Sequence, residues 1–133
     1  MLKIEQAFLS SFIAGNFGLP IAHKNKGYTP VLGTPYVELT VAQNDETAYS
    51  VSTTNETDGV YRAILYYPEN DDRGQFPAME KAEEIRAHFP IESKINYDGV
   101  NVIIKSFQSA EGVPVDGWYK IVVTMNYKSY LGR

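Results

Sequence analysis

Residues 60–67 read Val-Tyr-Arg-Ala-Ile-Leu-Tyr-Tyr (VYRAILYY), and the division of this run between two faces decides the fold. In an extended chain successive side chains point to opposite sides. Tyr61, Ala63, Leu65 and Tyr67 therefore share one face, and Val60, Arg62, Ile64 and Tyr66 the other. β-Branched and aromatic residues suit a pleated surface. A strand with one wet face alternates apolar with polar, whereas one that is apolar on both faces is covered on both. Val60–Tyr67 is therefore expected in the middle of a sheet.

On its N-terminal side, Asp58-Gly59 reads as a turn leading into that strand. Before it, residues 43–59 (QNDETAYSVSTTNETDG) are polar and rich in Asn, Asp, Thr and Ser. A stretch this long without periodicity predicts a long hairpin arm or a mobile loop with a function. Its Asn55-Glu56-Thr57 triplet has the form of a glycosylation sequon, which with no secretory route reads as chance. Residues 36–42 (YVELTVA) alternate Val37, Leu39 and Val41 with Tyr36, Glu38 and Thr40, as a half-buried strand does. A short strand is expected near Ile21–His23, followed by an extended loop to Gly33-Thr34-Pro35. In residues 2–14, Ile4, Phe8, Leu9, Phe12 and Ile13 fall on one side of a 3.6-residue helix. Gly15-Asn16-Phe17-Gly18 stops that helix, because glycine tolerates the positive φ found at helix ends.

On the C-terminal side, residues 68–77 (PENDDRGQFP) form a polar loop. Pro77, with Glu80, Glu83 and Glu84 soon after it, suits a helix N-terminus. Ala78, Met79, Ala82, Ile85 and Phe89 give that helix a buried stripe, and Pro90 ends it. Ser93–Tyr97 and Val100–Ser106 flank Asp98-Gly99, which predicts a hairpin with a type I′ turn. Residues 108–117 read as loop. Trp118–Tyr127 is the closing strand, with Tyr119, Ile121, Val123, Met125 and Tyr127 on one face, and the polar tail after it is expected to fray. This order predicts an α+β class: a single domain over residues 1–133 with one mostly antiparallel sheet, two main helices on one face and a long polar arm.

Composition narrows the function classes. The chain has 133 residues, 44% hydrophobic and 21% charged, which suffices for a core without staples. It contains no cysteine, so disulfides, thiol catalysis and thiolate metal sites are excluded. The net charge of −4 opposes tight nonspecific capture of phosphate backbones. No apolar run approaches the ~20 residues that span a bilayer, and the N-terminus makes a poor secretory signal, so folding in the cytoplasm is expected. The 10 tyrosines suit strand faces and protein interfaces equally.

The search for a chemical site returns little. His23 and His88 are the only histidines; both are expected at the surface, and the chain has no G-x-S-x-G elbow. Asp71-Asp72 is the densest acidic pair, but only Glu69 and Asn70 lie near it, at the wrong spacing for a cation loop. Glu80, Glu83 and Glu84 read as helix-dipole partners. No glycine cluster forms a phosphate cradle. Lys24, Lys26 and Tyr28 make one basic-aromatic group, too small for a nucleic-acid face. No catalytic, cofactor or metal site is expected, and an interaction or structural protein outranks an enzyme.

Four stretches carry a resemblance to a known family. They are the N-terminal helix with the loop His23–Pro35 into PYVELTV (Pro35–Val41), GVYRAILYYPEN (Gly59–Asn70), the helix Met79–Phe89 ending in Phe89-Pro90, and GWYKIVVTMNY (Gly117–Tyr127). In order and spacing they resemble the phage tail-terminator-like proteins. The family's arm region varies in length, and 43–59 is long here. The resemblance implies a structural subunit that closes into a ring, expected to be a hexamer. It would cap the tail-tube protein and offer a surface to a head-completion or connector protein, while DNA passes its lumen without specific binding. It implies no cofactor and no membrane partner. By position, Asp71, Asp72 and Arg73 resemble the tube-contacting loop, and Asp45, Glu46 and Glu56 of the arm would reach the lumen or a neighbouring subunit. Three other readings remain open: a neck or tail-completion protein of the same virion, a small ligand-binding or enzymatic α+β domain, and a prophage-encoded accessory protein that binds a host factor.

Overall fold

A computed structural model of the chain describes residues 2–22, 29–30, 33–44, 47–48, 54–68, 76–110, 112–115 and 117–132. Among these the order is helix α1 (Leu2–Ala14), strands β1 (Ile21–Ala22), β2 (Tyr36–Gln43), β3 (Thr47–Ala48) and β4 (Thr54–Pro68), helix α2 (Phe76–His88), and strands β5 (Lys94–Tyr97), β6 (Val100–Ser109), β7 (Val113–Val115) and β8 (Trp118–Gly132). The strands join in one sheet of order β1-β2-β4-β8-β6-β5, with β3 beside β4 and β7 beside β8. β1 runs parallel to β2, so the sheet is mixed; β2–β4, β4–β8, β8–β6 and β6–β5 pair antiparallel. The class is α+β, and β4 sits inside the sheet as its two apolar faces require.

The longest pairing runs from Thr54 opposite Gly132 to Pro68 opposite Trp118. It decides one expectation and corrects another. Residues 54–59 belong to β4, where Asn55 and Glu56 pair with β3 as in a hairpin arm, and the C-terminal residues through Gly132 pair with β4 rather than fray. Alternation persists through both stretches, but it is carried by hydroxyls. Thr57 and Ser129 are the inward residues and are fully buried. Ser129 Oγ donates to the Asn101 carbonyl at 2.7 Å, and Thr57 Oγ1 accepts from Gln43 Nε2 at 3.0 Å. These bonds offset the cost of burying a hydroxyl.

Gly59 is strand, not turn. It faces Tyr127 across β8 and Gln43 across β2. A β-carbon on Gly59 would run into the Ala42 carbonyl and the Tyr127 ring, so the missing side chain makes room for the tyrosine. Tyr127 covers the glycine, and its hydroxyl donates to Ala42 O at 3.4 Å. A neighbouring aromatic ring is a known way to repair the weak packing of a strand glycine.

The core forms where α1 meets the inward strand residues. Ile4, Ala7, Phe8 and Phe12 are buried, whereas Ile13, expected on the same stripe, is 58% exposed. Phe8 stacks on Tyr61 at 4.3 Å, and Tyr61 stacks on Tyr127 at 4.4 Å. Each such pair is worth about 0.5–1.5 kcal/mol beyond buried area. The Tyr61 hydroxyl donates to Ile4 O at 2.9 Å, which fixes α1 to the middle of the sheet. After α1 the left-handed residues are Asn16, with φ 52°, and Gly18, with φ 76°, but not Gly15. Asparagine tolerates this region better than most residues.

α2 starts at Phe76, so its first turn holds no carboxylate, and Arg86 and His88 occupy its last turn, the favourable end for cations. Pro77, Ala78, Ala82 and Ile85 are its buried residues. Met79, expected in that stripe, is 45% exposed. The β5–β6 turn has Asp98 at φ 45° and Gly99 at φ 82°, the two positive values of the expected type I′ turn. In β6 the register slips between Ile104 and Ser106. Lys105 is the extra residue of a bulge. Val102 and Ile104 face inward before it, and Phe107, opposite Met125, faces inward after it.

Two tests follow from this packing. Gly59→Ala should lower stability by about 1–3 kcal/mol, the usual cost of overpacking, seen as a lower urea midpoint; an unchanged midpoint would refute the tight glycine–tyrosine contact. The second concerns alkali. Burial, with the neighbouring Tyr127, pushes the Tyr61 hydroxyl far above the tyrosine range; burial, with Asp58 and Glu5, pushes Tyr127 up to about 12. Unfolded tyrosines ionise near pH ~10, so above that pH the unfolded state holds fewer protons and stability falls with rising pH. The Tyr61 and Tyr127 contribution is thus intact below about pH 10 and declines above it. Tyr61→Phe should show a shallower alkaline decline than the wild type in denaturant titrations at stepped pH. Equal slopes would mean that Tyr61 is not held neutral by the fold.

Candidate interaction surfaces

The expected working residues divide between places the structure describes and places it does not. Asp71, Asp72 and Arg73, and Asp45 and Glu46 of the arm, lie outside the described residues, as do His23, Lys24, Lys26 and Tyr28. Glu56 is described. It stands in β4 opposite Tyr130, and its carboxylate is 2.6 Å from Lys128 Nζ. The hydrogen bond to Glu56, then that carboxylate's charge, raises the Lys128 ammonium above the ordinary lysine range. Glu56 is thus half-buried in β4 and held by Lys128. At the base of the arm Asn44 N donates to Asp58 O at 2.9 Å and Asn44 Nδ2 to Asp58 Oδ1 at 3.0 Å.

His88 is not a surface residue. Its Nε2 lies 2.7 Å from Ser11 O; a carbonyl only accepts, so this nitrogen carries the hydrogen. Phe17 and Phe89 meet the ring edge-to-face at 5.5 Å and 4.8 Å. The histidine ties the end of α2 to the end of α1, a tie that sequence spacing does not reveal. Lys81 Nζ adds a second link by donating to Phe17 O at 2.8 Å. Among the described residues no group of three or more His, Cys, Asp or Glu is placed to hold a metal, and no helix is long and apolar enough to cross a membrane.

Two surfaces stand out instead. The first is the sheet face opposite to the Tyr61 ring. Register places Arg62 beside Thr124, Ile64 beside Val122, and Tyr66 beside Lys120, with Val113 next to Lys120. Arg62 is exposed and Ile64, Tyr66, Lys120 and Val122 are half-buried. One end is walled by aromatics: Tyr36 stacks on Tyr66 at 4.6 Å and meets Trp118 edge-to-face at 5.2 Å. Burial, then the charge of Glu38, raises the Tyr66 hydroxyl. The patch thus combines an aliphatic centre with two cations, Arg62 and Lys120, and one nearby carboxylate, Glu38.

The second surface lies along α2. A 390 Å³ depression is lined by Met79, Ala82, Glu83, Ser109, Ala110, Gly112 and Ile121. A 350 Å³ depression lined by Glu83, Arg86, Ala87, Phe89, Pro90, Ile91 and Phe107 shares Glu83 with the first. Arg86 lies over the Phe107 ring at 5.9 Å, a cation–π contact. Phe76, Met79 and Ile91 are 60%, 45% and 54% exposed along this side. Phe76, Met79 and Glu83 recur at helical spacing, so one face of α2 presents apolar side chains and then a carboxylate. Sequence reading divided β4 and β8 correctly between faces but had no access to their register, and it placed Met79 in the core. Neither patch was visible before pairing was known.

Both patches have the features of contact surfaces: apolar area with few charges, shallow, and without converging polar groups. On stability grounds, Arg62→Ala and Lys120→Ala should each change the unfolding free energy by no more than about 0.5 kcal/mol. Tyr36→Ala, which removes the buried ring of the aromatic wall, should cost about 2–4 kcal/mol. Urea melts of the three variants check this; losses at Arg62 and Lys120 equal to that at Tyr36 would make the patch structural.

Comparison with known proteins completes the description. A family model described as "Phage tail terminator protein" matches residues 3–127. No curated protein sequence matches the chain. A solved structure whose name states no activity is similar in fold, at 19% identity and a TM-score of 0.70, over 96% of this chain and 91% of that one.

Proposed function

The chain belongs to the phage tail terminator family, and from that premise we propose that it closes into a ring on the end of the tail tube, stops tube growth and leaves a surface for head joining. Membership makes the chain a structural protein of the phage tail, located in the virion tail. The observation that carries the finer reading is the family match itself, which spans residues 3–127. Supporting it are the two contact-like patches and the absence of a converging polar site among the described residues. A ring needs an interface between two different surfaces that closes on itself. The partners in this reading are further copies of the chain, expected as a hexamer, the tail-tube protein and a head-completion or connector protein. A net charge of −4 lets DNA pass the lumen without being trapped. Asp71, Asp72 and Arg73 are proposed to touch the tube, and Asp45, Glu46 and Glu56 the lumen or a neighbour.

The test is particle morphology. Virions made without the protein should carry overlong tails in negative stain. Tails of normal length that fail to join heads would assign it to joining instead. Replacing Asp71, Asp72 and Arg73 by Ala should leave the fold intact and reproduce the overlong or headless phenotype; normal particles would reject that loop as the tube contact.

A further inference from the structure

We propose that the contact between neighbouring copies in this ring is made by the α2 face of one copy, around Met79 and Glu83, seated on the Arg62–Ile64–Lys120–Val122 face of the next. The inference rests on the ring reading and supplies the two surfaces that reading leaves open.

Three observations point to the pairing. The patches differ in net charge: Glu83 is the charged residue lining the depression at Met79, with Arg86 in the adjoining one, while on the sheet Arg62 and Lys120 outnumber Glu38 around Ile64 and Val122. Arg62, Lys120 and Glu83 make no ion pair among the described residues, whereas Lys81 and Lys128 are already paired with Glu84 and Glu56. Among the described residues Arg62, Lys120 and Glu83 are therefore available to a partner, and complementary charge sets register and suppresses wrong partners. The apolar content matches as well. Phe76 and Met79 project from α2 and would cover the half-buried Ile64 and Val122 of the neighbour, supplying the dry centre that an interface needs.

Geometry is the third argument. The α2 depression includes Ile121, which points to one side of β8, and Val122 and Lys120 point to the other. The two patches thus look in different directions from one molecule. A copy that offers one and receives on the other makes a heterologous, head-to-tail contact, the kind that generates rings. It also explains why the sheet face is apolar at its centre yet bears cations: it meets another protein surface rather than a core.

The chain has no cysteine, so paired cysteines can be introduced without interference. Met79→Cys and Val122→Cys together, in the assembled protein alone or on tail tubes, should give an oxidised ladder of covalent oligomers. Each single variant should stay uncrosslinked, and a mixture of the two should stop at dimers. Glu83→Lys should weaken assembly on the order of tenfold or more, and combining it with Lys120→Glu should restore most of that loss. Self-crosslinking of a single variant would show a symmetric contact and overturn the proposal. Normal assembly with no crosslink in the double variant would overturn the two faces while leaving the ring reading intact. A wild-type chain that assembles neither alone nor on tubes would overturn both.

Discussion

The pairing of Thr54–Pro68 with Trp118–Gly132 is the constraint on which the rest of the molecule hangs. It joins two 15-residue strands that lie far apart in sequence. Tyr61, Gly59 and Tyr127 come into contact only because their rungs are adjacent. Once Tyr61 and Tyr127 are stacked, Phe8 has a surface to lie on, and the Tyr61 hydroxyl fixes α1 through Ile4. β2 and β6 then add to the outer sides of the same two strands. Non-local pairing of this kind pays loop closure before it is rewarded by contacts. The long ladder therefore orders the chain as a whole rather than piece by piece.

Much of this arrangement was legible in the residues. The two apolar faces of Val60–Tyr67 placed it inside the sheet. The Asp98-Gly99 pair specified its turn type, because two positive φ values favour that dipeptide. The helical stripe at Ile4, Phe8 and Phe12 marked the buried side of α1. What stayed hidden had a common cause: burial carried by residues that do not look buried. Thr57 and Ser129 are inward-facing hydroxyls with hydrogen-bond partners on neighbouring strands, so the segments around them read as loop and tail. Gly59 read as a turn because the ring that fills its place arrives from β8. Met79 and Ile13 erred in the opposite direction, since apolar side chains at the flank of a stripe are not assigned to core by spacing alone.

The contact surfaces follow the same logic. Residue alternation divided β4 and β8 between their faces, but a patch is a two-dimensional object, and its second dimension is strand register. Arg62, Ile64, Lys120 and Val122 become one surface only when β4 and β8 are aligned. The α2 depression likewise needs the far end of β6 beside the helix. His88 shows the reverse case: alone in the sequence it looks like a solvent-facing residue, and two neighbours from a distant segment, Ser11 and Phe17, make it a tie between helices. Family membership reached the class of function from the whole pattern of the chain without needing any of these details.

The bulge at Lys105 carries a consequence for how this protein can change. Side-chain direction in a strand is a matter of parity, and the extra residue reverses it midway through β6. Ile104 before it and Phe107 after it both reach the interior, though their numbers differ by an odd step. Losing Lys105 would remove the bulge and restore plain alternation: Ile104, Ser106 and Phe107 would keep their places opposite Tyr127, Asn126 and Met125, with Phe107 still inward. A single-codon deletion at this point would thus leave the phase of everything downstream in the strand intact. The strand's tolerance for losing a residue is concentrated at that one extra lysine, whose ammonium pairs with Glu92.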